Sequence, residues 1–431
     1  MLDPIDVLSP ALLRAEQEVR WAEALPHLLR TPFYRRRLAS AGVAPGTIGS
    51  LAGLRYVPFT HKAELRAAAP LERTPHGLGE IESFFTSSGT SGEPTAYAWT
   101  AADTAVLREG GARAMRRIGV RTDDLALLVA PMGLPVMWYC MLQQFHAAGV
   151  GVVPVGVRPP DELLNALAAF PVSIVVTLPV VATRLFEFLQ LRGSAEAERP
   201  RLRQVQCGGD FLSEARRARI EACWGAECVN LFGISELFGP IAGECEARAG
   251  MHLLADCVYC EVVDPATGEA VPDGETGVAV YTTLWSKGAP LLRYWSDDFV
   301  RLETTPCACG RASPRLHFEG RGADMLPLPE RRVFAKRLEE RVLVSPNVGS
   351  EYRLELMDGA HRPSARLVVE ETPFGAPPIH ELGDAVGDYI GMRPSIVALP
   401  PGSLPRDVPK PRRLVDLRTG ATSTTLSTEA P

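Results

Sequence analysis

Lysine is scarce in this chain. Lys62, Lys287, Lys336 and Lys410 are the only four, and the rest of the Lys+Arg total is arginine. Each amine therefore merits weighing as chemistry. Charge of one sign is also missing: 45 basic against 51 acidic side chains leave a net charge of -6. That balance excludes a general electrostatic grip on nucleic acid or anionic lipid, while leaving room for a local nucleotide site. No apolar run is long enough to cross a bilayer; residues 172–184 (VSIVVTLPVVATR) are short and interrupted by proline. The opening MLDPIDVLSP carries acids where a signal peptide needs bases. Nine cysteines, an odd number, occur in a 431-residue chain long enough to need no covalent stapling. The expected compartment is the reducing cytoplasm, with thiols free or metal-bound. An apolar fraction of 46% with 22% charged residues excludes wholesale disorder, and the length implies two or more domains.

Residues 5–40 read as helix, with apolar positions at helical spacing through Leu12, Leu13 and Val19. From about residue 120 to 180, short β-branched runs (LALLVAP, GVGVVPVG, VSIVVTLP) alternate with helical stretches at 161–169 and 181–192. Such alternation predicts parallel strands buried by helices. Residues 257–264, 277–284 and 297–302 predict strands in antiparallel hairpins. Beyond about 322 the pattern restarts, with helices at 334–343 and 380–390 and strands at 351–357 and 366–370. The fold class expected is α/β: a large N-terminal domain, 1–322, with mostly parallel sheets flanked by helices plus a small antiparallel β part, then a small α+β C-terminal domain, 323–418. Residues 419–431 are polar and read as a disordered tail.

Most positions from 86 to 95 within FFTSSGTSGEPT (84–95) are Ser, Thr or Gly. Small residues let backbone N–H groups line a concave turn, and hydroxyls add donors, so the run can wrap a phosphate. It is not the loop of P-loop NTPases. Composition alone favours a flexible linker. Its neighbours along the chain change that balance. The run resembles the phosphate-binding loop of adenylate-forming enzymes, in particular of the phenylacetate–CoA ligase family. The resemblance continues in order through VPFTHKAEL (57–65, with Lys62), NLFGISELFGPIAGEC (230–245), PLLRYWSDDF (290–299), CACGRASPRLHFEGRGADML (307–326) and RDVPKPRRLVDLR (406–418).

The resemblance implies ATP-dependent activation of an aryl carboxylic acid as an acyl-adenylate, with release of pyrophosphate and transfer to CoA. It also implies that the C-terminal domain is mobile. Ser87, Ser88, Gly89, Thr90, Ser91 and Gly92 would hold the β- and γ-phosphates. Gly209, Asp210, Asn230, Phe232, Gly233 and Ser235 would complete the nucleotide site, with Phe232 against the adenine. Asp298 would accept from the ribose hydroxyls, with Asp297 as its register-slip rival. Arg321 would meet the ribose or α-phosphate. Glu236 would ligate Mg²⁺. Lys410 would bridge carboxylate and α-phosphate oxygens in the transition state. Without the motifs, Glu236 reads as a solvated loop acid, Phe232 as a core aromatic and Lys410 as surface. Trp138, Tyr139, Val180, Gly208 and Ile234 are candidate acyl-pocket residues, and core packing is an equally good reading of Trp138 and Tyr139.

Cys245, His252, Cys307 and Cys309 offer three thiolates and an imidazole, a donor set for a closed, structural Zn²⁺ site that members of the family also carry. Cys257 and Cys260 compete by spacing but sit three apart in a strand and read as core. Cys140, Cys207, Cys223 and Cys228 read as buried apolar residues. Three departures from the family stand out: Glu93 replaces the lysine of the loop, Ala323 replaces the usual hinge residue, and the 327–335 loop (PLPERRVFA) lacks the Gly-rich turn. They keep a second acceptor open, a small hydroxyl or amine in place of CoA, as in benzoxazole assembly from hydroxy-anthranilate-type acids. No nucleic acid or membrane partner is expected; a homodimer is allowed.

Overall fold

The computed structural model describes residues 3–87, 94–133, 135–191, 200–237, 239–328, 331–359, 363–372, 375–406 and 410–418. The chain divides into two units. One comprises Met1–Val176, Val229–Ser296 and Val300–His317; the other comprises Thr177–Cys228, Asp297–Phe299 and Phe318–Pro431.

The first unit opens with a helix, Pro10–Arg30, capped by Ser9 and buried through Leu13, Gln17, Trp21, Ala24 and Leu28. These positions fall three and four apart, the period of one helix face. Leu12 and Val19, expected on that face, are more than half exposed. The expected single helix is also interrupted: Pro32 starts a separate helix, Pro32–Ser40, where its missing N–H costs nothing. Trp21 is fully buried and donates from Nε1 to Ile48 O at 2.8 Å. It packs with Leu28, Tyr34, Leu51 and Leu292 in one core cluster.

The three β-branched runs form the expected parallel strands. Leu125–Leu128 pairs in parallel with Gly151–Pro154 on one side and with Ile174–Thr177 on the other. The helix Met137–Ala147 lies between the first two in sequence and packs on both. Antiparallel pairing follows: Glu227–Ile234 with Gly239–Glu244, that strand with Met251–Leu253, and Met251–Leu253 with Arg315–Arg321. The hairpin expected from 257–264 and 277–284 is present as Val258–Val263 against Thr276–Thr283. At Gly233 an added Cβ would lie 2.2 Å from Gly239 O, so the sharp reversal between those strands requires glycine there.

The second unit holds a four-stranded sheet in the order Ser395–Leu399, Ser364–Glu371, Val348–Met357, Leu414–Asp416. Its central pair is antiparallel and both flanking pairs are parallel. Helices Ala335–Val342 and Ile379–Ile390 supply Leu338, Val342, Leu382 and Val386 to a core shared with Tyr352, Leu354 and Leu367. Met325–Leu328 and Arg331–Phe334 form a two-stranded antiparallel ribbon. Among the described residues no helix is long and apolar enough to cross a membrane.

Candidate active site

Strands Ser83–Thr86 and Ala96–Trp99 pair antiparallel and frame the Ser/Gly run. Ser87, buried, closes its neck: its Oγ accepts from Thr95 N at 3.0 Å and its own N donates to Thr95 O at 3.0 Å. Ser88, Gly89, Thr90, Ser91, Gly92 and Glu93 lie outside the described residues.

Along the strand Glu227–Ile234, Phe232 and Ile234 are buried, and Asn230 N donates to Glu244 Oε2 at 2.7 Å. The strand runs into a short turn, Ser235–Leu237, that buries Glu236. Lys62 Nζ sits 3.0 Å from Glu236 Oε1, an oxygen that accepts no well-formed hydrogen bond. A buried carboxylate with an ammonium as its counter-charge marks a position where a hard cation fits. The ring of Tyr139 packs at 4.9 Å from Phe85 and 6.0 Å from Trp99, and Trp138 Nε1 donates to Gly133 O at 2.8 Å. Tyr139 is thus part of an aromatic cluster, consistent with its packing role.

The second unit brings another set together. Asp298 is buried and accepts from Arg321 Nε at 2.9 Å. Its carboxylate drives the Arg321 guanidinium above the usual range. Asp297, the rival, takes a left-handed backbone (φ 64°) and turns its carboxylate to Ala323 N at 3.0 Å instead. Burial pushes Asp297 up to about 6, against the Ala323 N–H and with the Asp298 charge. An added Cβ at Gly322 would meet Asp297 Oδ1 at 2.3 Å, so glycine lets this crossing close. Lys410 lies within electrostatic reach of Arg321, Asp210, Asp298 and Asp324; burial and Arg321 lower its pKa while the three acids oppose them. Asp210 is raised by burial and pulled down by Lys410, its bond from Phe211 N, and Arg321. Gly209 has φ 78°, in the left-handed region, and Gly208 N donates to Thr177 O at 3.2 Å. Val180 is buried on the helix Pro179–Leu191. In the first unit Glu236 meets Lys62; in the second, Lys410, Arg321, Asp298 and Asp210 converge.

The four expected metal ligands also converge, within the first unit. The ligand atoms of Cys245, His252, Cys307 and Cys309 all lie within 4.8 Å of one another. Cys245 Sγ and Cys307 Sγ are 3.8 Å apart, and Cys309 Sγ is 3.3 Å from His252 Nε2. Two thiolates at about 2.3 Å from a tetrahedral zinc stand about 3.8 Å apart, so the spacing fits. His252 Nδ1 is engaged by Ser313 O at 3.1 Å and Oγ at 3.0 Å, which leaves Nε2 for the metal. Burial and Arg117 hold the imidazole neutral by depressing its pKa to about 4. Burial pushes Cys245 up to about 12, helped by its cysteine neighbours. Cys309 goes the other way: its burial is outweighed by bonds from Arg311 and the neighbouring cysteines, which draw it below the usual thiol value, so ionising Cys245 as well would need a cation. Cys257 and Cys260 are not part of this group. Cys140, Cys207 and Cys228 are buried as expected, whereas Cys223 is only partly so. A contact missed from sequence is Cys207 with Cys228, thiol to thiol at 3.8 Å. Nothing in their spacing signals a contact made by folding.

A model of the AMP-binding enzyme family matches residues 58–290. The phenylacetate-coenzyme A ligase of Thermus thermophilus is 32% identical, over 96% of this chain and 98% of its own. That of Escherichia coli is 28% identical, over 97% and 98%. Among solved structures, a 2-hydroxyisobutyryl-CoA ligase in complex with 2-HIB-AMP superposes with a TM-score of 0.87 at 25% identity, covering 96% of this chain and 91% of its own. The family model spans over half the chain and the similarity runs nearly end to end, so this chain belongs to the AMP-binding enzymes as a phenylacetate–CoA ligase-like member of the adenylate-forming ligases.

Proposed function

We propose that this ligase activates an aromatic carboxylic acid with ATP through an acyl-adenylate and passes the acyl group to CoA. The observation that carries the reading is the grouping of Lys410 with Asp298, Arg321 and Asp210 in the second unit. In the first step a carboxylate oxygen attacks the α-phosphorus of ATP, the bond to the bridging oxygen breaks, and pyrophosphate leaves. Little covalent help is needed; positioning and neutralisation of charge are. Lys410 would place its ammonium between the attacking carboxylate and the α-phosphate oxygens. Arg321 would add a fixed fork of donors to the same phosphate or to the ribose, and Asp298 would accept from the ribose hydroxyls. Ser87 and residues 88–92 would hold the outer phosphates. In the second step the CoA sulfur attacks the acyl carbon, AMP leaves, and the thiol proton passes to solvent.

Glu236 would hold Mg²⁺, with Lys62 released from it. The ion would neutralise charge on the phosphates. Cys245, His252, Cys307 and Cys309 would hold a structural Zn²⁺. Trp138, Tyr139, Val180, Gly208 and Ile234 would shape the acyl site, and the C-terminal domain, 323–418, would carry the terminal lysine. The reading places the enzyme in the cytoplasm, in an aromatic-acid or secondary-metabolite pathway. The altered sequence of the 327–335 loop (PLPERRVFA) supports a second reading in which a small hydroxyl or amine replaces CoA.

The test is carboxylate-dependent exchange of labelled pyrophosphate into ATP across a panel of aromatic acids, followed by mass spectrometry of products with and without CoA. Exchange with aryl acids and an acyl-CoA product are expected. No exchange with any acid defeats the proposal; exchange without acyl-CoA, but with an ester or amide, selects the second acceptor.

A further inference from the structure

Two buried carboxylates in the four-stranded sheet have no part in the reaction described so far. Glu351 lies on Val348–Met357 and Glu370 on Ser364–Glu371, and each is 1% exposed. Ionisable side chains are rarely buried this completely unless paired. Both acids hold the ends of the segment that carries Lys410. Glu370 takes Arg406 in a two-pronged pair, Nη1 to Oε1 at 2.9 Å and Nη2 to Oε2 at 2.6 Å. Glu351 accepts from Arg413 Nη1 at 2.8 Å on one oxygen and from Arg184 Nε at 2.8 Å on the other. Arg184 also donates from Nη1 to Arg406 O at 2.9 Å. The Arg413 guanidinium lies 4.7 Å over the Tyr352 ring, and Arg413 O accepts from Leu354 N at 2.8 Å. Glu351 therefore binds Arg413 directly and Arg406 through Arg184, so one carboxylate ties both sides of Lys410.

We infer that Glu351 is a positioning residue for Lys410, fixing through Arg413 and Arg184 the residues Arg406 and Arg413 that flank it in the chain. A buried ion pair is a poor source of stability compared with apolar side chains of the same volume, but its directional bonds can specify one arrangement. A lone long amine on a connecting segment needs such specification, because an ångström of misplacement sharply lowers its effect on a transition state. The kinetic consequence rests on the adenylation reading; the tether itself does not.

Two measurements separate those parts. Hydrogen–deuterium exchange of the full chain, read by mass spectrometry, reports the tether without any turnover. Glu351→Gln is expected to speed exchange in peptides covering 403–418 by about tenfold or more, with peptides of the first unit unchanged. Arg184→Gln, which leaves the Glu351–Arg413 bond in place, should give a smaller rise in the same peptides. Unchanged exchange there, or a uniform rise over the whole chain in both variants, overturns the inference. The kinetic arm is a double-mutant cycle on pyrophosphate exchange. Glu351→Gln should lower kcat by about 10–100-fold with little change in KM for ATP, and should cost almost nothing further in a Lys410→Ala background. A full additional loss in that background means that Glu351 does not act through Lys410 and also overturns the inference. If the unmodified enzyme exchanges no pyrophosphate, the adenylation reading fails, and deuterium exchange alone judges the tether.

Discussion

Lys410 is the amine on which the proposed first step depends, and its surroundings explain what a substitution should do. Asp210, Asp298 and Asp324 favour its charged form, while burial and Arg321 oppose it and lower its pKa. Removing it should leave the site intact and the transition state poorer by one preorganised donor. Lys410→Ala is expected to lower pyrophosphate exchange by about 100–1000-fold while ATP binding, followed by calorimetry, changes little. Lys410→Arg should not restore the rate, because a planar fork cannot occupy the place of a compact ammonium. Lys410, Arg321 and Asp298 are legible from motif order. The choice between Asp297 and Asp298 is one of backbone: a φ of 64° turns Asp297 toward Ala323 N, while Asp298 points at Arg321. The Lys62–Glu236 pair is not legible as a contact, although both residues sit in recognised segments, because nothing local couples a helix start to a distant turn.

The helix Glu214–Trp224 and the helix Ala335–Val342 meet through a buried charge pair. Arg216 donates from Nε to Glu339 Oε1 at 2.8 Å and from Nη2 to Glu339 Oε2 at 2.6 Å, and Ser213 Oγ adds a bond to Oε1 at 2.7 Å. Despite burial, Arg216 keeps the Glu339 carboxyl below the usual range. Arg216→Met should therefore strand a buried carboxylate and destabilise the protein by about 3–5 kcal/mol in urea denaturation, and Arg216→Met with Glu339→Leu should recover most of that loss. Beyond residue 322 the expected helices and strands agree closely with Ala335–Val342, Ile379–Ile390, Val348–Met357 and Ser364–Glu371, whereas Glu214–Trp224 is not among the expected elements. The first helix differs in its buried face: Leu12 and Val19 suggest one face, yet the buried one runs through Gln17 and Trp21, and Gln17 is inside because its amide donates to Ala255 O at 2.7 Å. A polar side chain satisfied by a distant carbonyl defeats any reading that sorts residues by hydrophobicity alone.

Acid should loosen the second unit at a definable point. Burial raises the pKa of Glu351, but Arg413 and Arg184 outweigh it and hold the carboxyl at about 2. Between the ordinary glutamate range and that value the unfolded chain binds a proton that the folded chain does not, so stability rises with pH across the window. The contribution, about 3 kcal/mol, is complete above the unfolded pKa and is lost as pH falls through about 2. Stability curves for the parent and Glu351→Gln should converge toward the acid end of that window. The first unit has a different dependence. If the proposed zinc is bound, Cys307→Ser and Cys309→Ser should each abolish stoichiometric zinc in metal analysis and lower the melting temperature, because the metal would tie the segment around Cys245 and His252 to the distant turn at 307–309. Stoichiometric zinc in either variant, with unaltered melting, would count against the site. The donor set is visible in the sequence; its convergence is not, since it needs Met251–Leu253 to pair with Arg315–Arg321.

The clasp between Ser87 and Thr95 has a practical corollary for engineering. Its two bonds hold Ser87 and Thr95 together at the end of the ribbon Ser83–Thr86 and Ala96–Trp99. On the proposed reading, in which this run would hold the outer phosphates, randomising residues 88–93 while keeping Ser87 and Thr95, with Glu93→Lys among the variants, should change triphosphate affinity without re-registering Ser83–Thr86 against Ala96–Trp99. Libraries that also vary Ser87 or Thr95 should lose folded members far more often.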